Sequence, residues 1–148
     1  MTRFSTLALV PFGLTLLVAG CQRQAGTTDR PTNEPVITDR QWSLRELDGQ
    51  PLDSAARANP PTLLLASSST QASGFAGCNR MAGGYKLGPG TLELGPLVLT
   101  RMACPSMDLE SRYTTALGRV RQFRVDGNRL ELLADGTVLA TFEPTPSP

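Results

Sequence analysis

Histidine is missing from this chain of 148 residues, and lysine occurs once, as Lys86. The side chain that most often serves as a general base near neutral pH is therefore absent, which makes much of enzymology an unsuitable reading. No Gly-x-Ser-x-Gly elbow occurs either, so the Ser67-Ser68-Ser69 tract would have only Lys86 to take its proton and reads as a turn. Nor is there a Cys-x-x-Cys pair, which argues against a redox dithiol. With three cysteines and no histidine, the usual set of about four zinc ligands cannot be assembled. An excess of one charge sign is also lacking. The formal net charge is +1 and Arg3 is the only charged side chain before Cys21, so a chain starting at Cys21 carries 13 basic and 13 acidic side chains. That balance points away from nucleic acid. No metal and no cofactor are expected.

A membrane-spanning apolar run is missing as well. Leu7 to Ala19, broken by Pro11 and Gly13, falls short of the roughly 20 residues that a spanning helix needs. Preceded by Arg3 and ending in small residues, residues 1–20 read as an export signal. Its end, Leu17-Val18-Ala19-Gly20-Cys21, resembles the lipobox of bacterial lipoproteins. The resemblance implies that Cys21 receives diacylglycerol on sulfur and becomes the acylated first residue of the mature chain. Acyl chains contribute about 0.8 kcal/mol per buried CH₂, so several on one residue hold a protein at a membrane without a spanning segment. Gln22 follows, where an aspartate would by enteric analogy suggest the inner membrane, so the expected location is the outer membrane facing the periplasm. One cysteine assigned to lipid leaves one pair, Cys78 and Cys104. In an oxidising compartment these are expected to form a disulfide, contributing about 3–4 kcal/mol on the chain-entropy account.

From Cys21 to residue 40 the chain is Gln, Thr, Arg, Pro, Asn and Gly with little that is apolar, and reads as a flexible tether reaching about 20–25 Å. The folded domain is expected over residues 41–143, leaving about 105 residues for a core. Trp42, Leu44 and Leu47 alternate with polar residues before the Asp48-Gly49 turn, as a half-buried strand does. Ser54 to Pro61 reads as a loop and Thr62 to Ser67 as the next strand. Ala72 to Cys78 and Gly84 to Leu87 read as strands joined through Asn79-Arg80-Met81-Ala82-Gly83, with Thr91–Leu94 and Leu97–Thr100 following. The period then changes. After Ser106, a candidate N-cap, Leu109, Tyr113, Ala116, Leu117 and Val120 recur at helical spacing to about Arg121. Asp108 and Glu110 in the first turn and Arg119 and Arg121 in the last complement the helix dipole. A hairpin around Asp126-Gly127-Asn128 and a strand over Thr137 to Phe142 complete the pattern, and residues 144–148 read as a frayed tail. The fold class expected is mainly β (α+β), a small open antiparallel β-barrel of about eight short strands with one helix packed against it.

The stretch Gly74-Phe75-Ala76-Gly77-Cys78-Asn79-Arg80 with Gly84-Tyr85, then Thr100-Arg101-Met102-Ala103-Cys104-Pro105, then Tyr113 and Leu117, with Trp42 and Leu44 in front, resembles the META domain of HslJ-like bacterial lipoproteins. The resemblance runs from about Trp42 to Phe142. It implies a compact β-rich domain like an open barrel interrupted by a helix, and an envelope or heat-shock association linked to antibiotic tolerance and secretion. It brings no established catalytic set. One departure is Met81-Ala82-Gly83, where members often carry a larger aromatic residue.

Three residues beside the cysteines are candidates for ligand or partner contact. Asn79 either binds a ligand or satisfies backbone groups in a glycine-rich turn, and Arg80 and Arg101 either form an anion site or pair with carboxylates and water. Glu93, Asp108, Glu110 and Glu131 have no spacing that forces a catalytic carboxylate pair. Two functions follow. One is a non-enzymatic, membrane-anchored envelope lipoprotein that binds another envelope component, a protein or a lipid, in envelope maintenance or stress tolerance. The other is a pilotin-like or carrier module holding an acyl chain or apolar peptide inside its open barrel. A filled core with an apolar surface patch favours the first, and an internal apolar cavity the second.

Overall fold

The computed structural model describes residues 36–104 and 107–146. The export signal, Cys21, most of the tether and Ser106 lie outside the described residues.

Turn chemistry and apolar alternation divide the chain into short strands. They are β1 (Gln41–Leu47), β2 (Gln50–Pro51), β3 (Thr62–Ala66), β4 (Gln71–Phe75), β5 (Arg80–Gly88), β6 (Thr91–Leu94) and β7 (Val98–Leu99), followed by β8 (Gln122–Asp126), β9 (Arg129–Ala134) and β10 (Thr137–Pro144). Two helices interrupt them. The first, α1 (Ser54–Ala58), starts where Asp53 accepts a hydrogen bond from the Ala56 N–H, so part of the expected loop is a capped helical turn. The second, α2 (Met107–Arg119), matches the expected helix, and Arg121 closes its end by donating to the Gly118 and Val120 carbonyls.

Eight strands form an antiparallel ring in the order β10-β9-β8-β6-β5-β4-β3-β1, which closes because β1 pairs with β10 from Trp42–Pro144 to Leu47–Ala140. The barrel is thus mainly β as expected, and its ring is closed rather than open. It is weakest between β6 and β8, where the register holds a single bridge, Thr91 to Gln122. The chain makes its excursion through β7 and α2 at this join, and α2 packs against β1, β6 and β10.

Barrels of this size are filled by their own side chains. Trp42, Leu44, Leu63, Leu65, Leu92, Leu117, Leu130, Leu132 and Phe142 are buried together in one cluster with Tyr113, whose hydroxyl donates to the Thr62 carbonyl at 3.2 Å. A bulge between Leu44 and Glu46 explains how Leu47 shares the inner face despite its odd spacing, because one extra residue restores the parity of the strand.

Both ends of the folded unit extend past the expected limits. Ile37 is only 1% exposed and its carbonyl accepts from Trp42 Nε1 at 2.9 Å, so packing begins before residue 41. At the other end Pro144 pairs with Trp42, and the Thr145 N–H donates to the Gln41 carbonyl at 2.8 Å, so the chain is still held beyond residue 143.

The β4–β5 region departs most from the expected boundaries. The turn falls at residues 76–79 and Arg80 to Gly83 are strand, whereas 79–83 was the expected connection. Two glycines permit this arrangement. A Cβ on Gly74 would lie 2.0 Å from the Thr62 carbonyl oxygen, and one on Gly83 would lie 2.6 Å from that of Pro96. Only glycine lets β4 approach β3, and the segment before β7 approach β5, so closely.

Candidate functional site

The 76–79 turn places Asn79 beneath the segment that follows β7. Asn79 is 2% exposed, and every hydrogen-bonding group of its side chain is used. Its Nδ2 donates to Glu110 Oε1 at 3.0 Å and to the Met102 carbonyl at 3.2 Å. Its Oδ1 accepts from the Met102 N–H at 2.7 Å and from Thr100 Oγ1 at 2.8 Å. The Asn79 backbone N–H donates to Glu110 Oε2 at 2.6 Å. Glu110 is 7% exposed, and it projects from α2 on the same buried stripe as Tyr113 and Leu117. The Cys78–Cys104 disulfide, with Cα atoms 5.9 Å apart, ties the turn to the end of the 100–104 segment beside it. Asn79 is therefore a joint between the turn, the 100–104 segment and α2, with no group left over for a ligand. Glu110 was missed as its partner, although an acid at an apolar-stripe position was a visible signal.

The other candidates separate. Arg80 and Arg101 are exposed, and among the described residues neither has an ion-pair partner. Glu131 pairs with Arg124, while Glu93 and Asp108 are exposed on different elements, so the acidic residues do not converge. No group of three or more metal-ligating side chains occurs among the described residues. Ser67 donates its hydroxyl and its N–H to the carboxylate of Asp39 at 2.5 and 2.9 Å, and these bonds hold the Asp39 carboxyl below its usual value. Ser67 is thus engaged by an acid rather than by Lys86.

An open groove of about 1150 Å³ crosses the outer face of β3, β4 and β5. Its floor includes Leu64, Gly74, Phe75, Met81 and Ala82. One side is formed by Asn59 and Pro60, the other by Val98, Leu99, Thr100 and Met102. Val98 is 69% and Met102 63% exposed, an unusual cost for large apolar groups on one small surface. Among the described residues Arg80 is the only ionisable side chain in the lining, whereas Arg101 is outside it. The Asn79 joint holds this wall. Thr100 and Met102 both bond Asn79 while they face the groove, and Cys78 lines it.

The META domain family profile matches residues 35–146. The chain belongs to the META domain family. Among curated relatives, the heat shock protein HslJ of Escherichia coli (strain K12) is 27% identical over 132 residues, spanning 89% of this chain and 86% of its own. A protein from Burkholderia xenovorans, solved by NMR, is 28% identical with a TM-score of 0.63, and 99% of each chain is covered. A crystal structure from Bacteroides vulgatus has a TM-score of 0.57 at 14% identity, covering 76% of this chain and 97% of that one, a likeness of fold alone. Within this META domain one cluster of buried side chains occupies the interior, and the open groove lies on the outer face of the sheet.

Proposed function

We propose that this META domain protein is a non-enzymatic envelope lipoprotein, anchored through Cys21, that binds another envelope component in its outer groove as part of envelope maintenance or stress tolerance. The observation that carries this reading is the exposed apolar groove, walled by Val98 and Met102, over a core already filled. A folded protein that leaves such side chains in water exposes apolar area whose burial against a partner is favourable. The lipobox-like end of the export signal supports binding at a membrane surface. The chemistry agrees with binding rather than turnover, since the sequence contains no histidine and Ser67 of its serine tract is bonded to Asp39.

A photocrosslinking residue at position 98, in cells expressing the full chain, tests the reading. The expected result is one dominant captured component, lost when Phe75→Asp or Met102→Asp makes the groove polar. Capture that is unchanged by both substitutions would place the binding surface elsewhere.

A further inference from the structure

The groove's lining restricts the chemistry of what it accepts. Its floor strands are paired on both sides: β3 by β1 and β4, β4 by β3 and β5, and β5 by β4 and β7. An extended peptide laid on that floor would find no free edge there for its N–H and C=O groups, and the wall strand β7, paired with β5 alone, offers an edge of only two residues. The threonines add little, because the Thr62 hydroxyl accepts from the Phe75 N–H at 3.1 Å and the Thr100 hydroxyl is bonded to Asn79 and to the Arg80 N–H. What remains is a slot whose larger part is aliphatic, aromatic and thioether surface, with Gln41, Asn59 and Ser73 as its other polar side chains and, among the described residues, a single cation, Arg80, which has no carboxylate partner there. An apolar chain without internal polar groups and with one terminal negative charge matches both properties. The volume of about 1150 Å³ is ample for one such chain, since clefts for small molecules span about 300–1,000 Å³.

We infer that the groove binds a long-chain fatty acid, its alkyl chain along Leu64, Phe75 and Val98 and its carboxylate on Arg80. This rests on the proposed role of the groove and names the occupant. Arg80 recognises the end of the chain, and the apolar walls supply most of the affinity because they exclude water from it.

The test uses the full chain in its membranes, exposed to a diazirine-bearing fatty acid or to the matched alcohol. The expected result is labelling of peptides that contain Phe75 or Val98, several-fold stronger for the acid. Arg80→Gln should reduce acid labelling about three- to fivefold, as suits one exposed ion pair, and should leave alcohol labelling unchanged. Arg80→Lys should restore part of the preference, and Val98→Asp should abolish both signals. Because Arg80 and Val98 are exposed, these variants keep the core intact. Equal labelling by acid and alcohol, or labelling outside the groove, overturns the inference, as does preferential labelling by a lysophospholipid probe. If the crosslinker at position 98 meanwhile captures a protein in cells, the fatty-acid inference falls while the proposed binding role stands. Loss of both signals removes both.

Discussion

Asn79 and Glu110 show how much of this domain depends on two polar side chains. Removing the carboxylate with Glu110→Ala leaves the Asn79 N–H and one of its amide hydrogens without acceptors in a buried site, so denaturant unfolding should show a loss of about 1–3 kcal/mol. In a double-mutant cycle, Asn79→Ala and Glu110→Ala should cost less together than the sum of the singles, because each already breaks the Nδ2–Oε1 bond that the two side chains share. Strict additivity would mean that the two act separately. Tyr113 provides a pH signature. Burial raises its phenol well above the ordinary value of 10.0, so the folded state keeps a proton that the unfolded chain releases. Its contribution is fully present below pH 10.0 and declines as the pH rises beyond it, by about 1.4 kcal/mol per pH unit for one proton. Alkaline unfolding followed by circular dichroism should therefore be less steep in Tyr113→Phe than in the wild type. Both residues sit on the helical stripe that the sequence pattern exposes. The pattern marks their positions, but the partner of Glu110 comes from a turn 31 residues away in sequence and only folding brings it there.

At the scale of elements, the 100–104 segment is the piece whose position matters most for the groove, and it has little regular structure of its own. It is held by Asn79 from below and by the Cys78–Cys104 bridge at its end. Cys78→Ser, Cys104→Ser and the double variant should each lose about 2–5 kcal/mol and behave alike, as removal of a native bridge from a small secreted domain does. Both thiols of the native, unreduced protein should resist alkylation under denaturing conditions. In hydrogen exchange, the Met102 N–H should become less protected in these variants than the amides of β9, because loosening is local to the wall. Uniform loss of protection would show that the bridge stabilises the whole barrel and not this segment in particular. The β4–β5 boundary was the least legible element. Asn79 and the glycines after it have turn propensity, yet Gly83 is glycine because another segment crosses it, a requirement that local sequence does not express.

At the scale of the whole molecule, the anchor and the groove are separate parts of one proposal. Cys21→Ala should leave the chain unprocessed or release it from the membrane fraction, and mass spectrometry of the wild-type mature N-terminus should find acylated Cys21. A mature chain that starts after another small residue and carries no acyl mass would end the lipoprotein reading. The domain's architecture was largely determined by the sequence alone, because strand alternation, turn residues, the switch to helical period and the cysteine count are local or compositional signals. These include the inward Trp42 and Leu44, the stripe of α2 and the pairing of Cys78 with Cys104. Closure of the ring was decided only by tertiary structure. Register between β1 and β10 joins the two ends of the domain and includes the bulge between Leu44 and Glu46, so no local window contains it. The same holds for the groove. Leu64, Phe75, Val98 and Met102 are ordinary apolar residues in sequence, and they form one surface because β3, β4 and β7 meet on the outside of a barrel whose inside is already full.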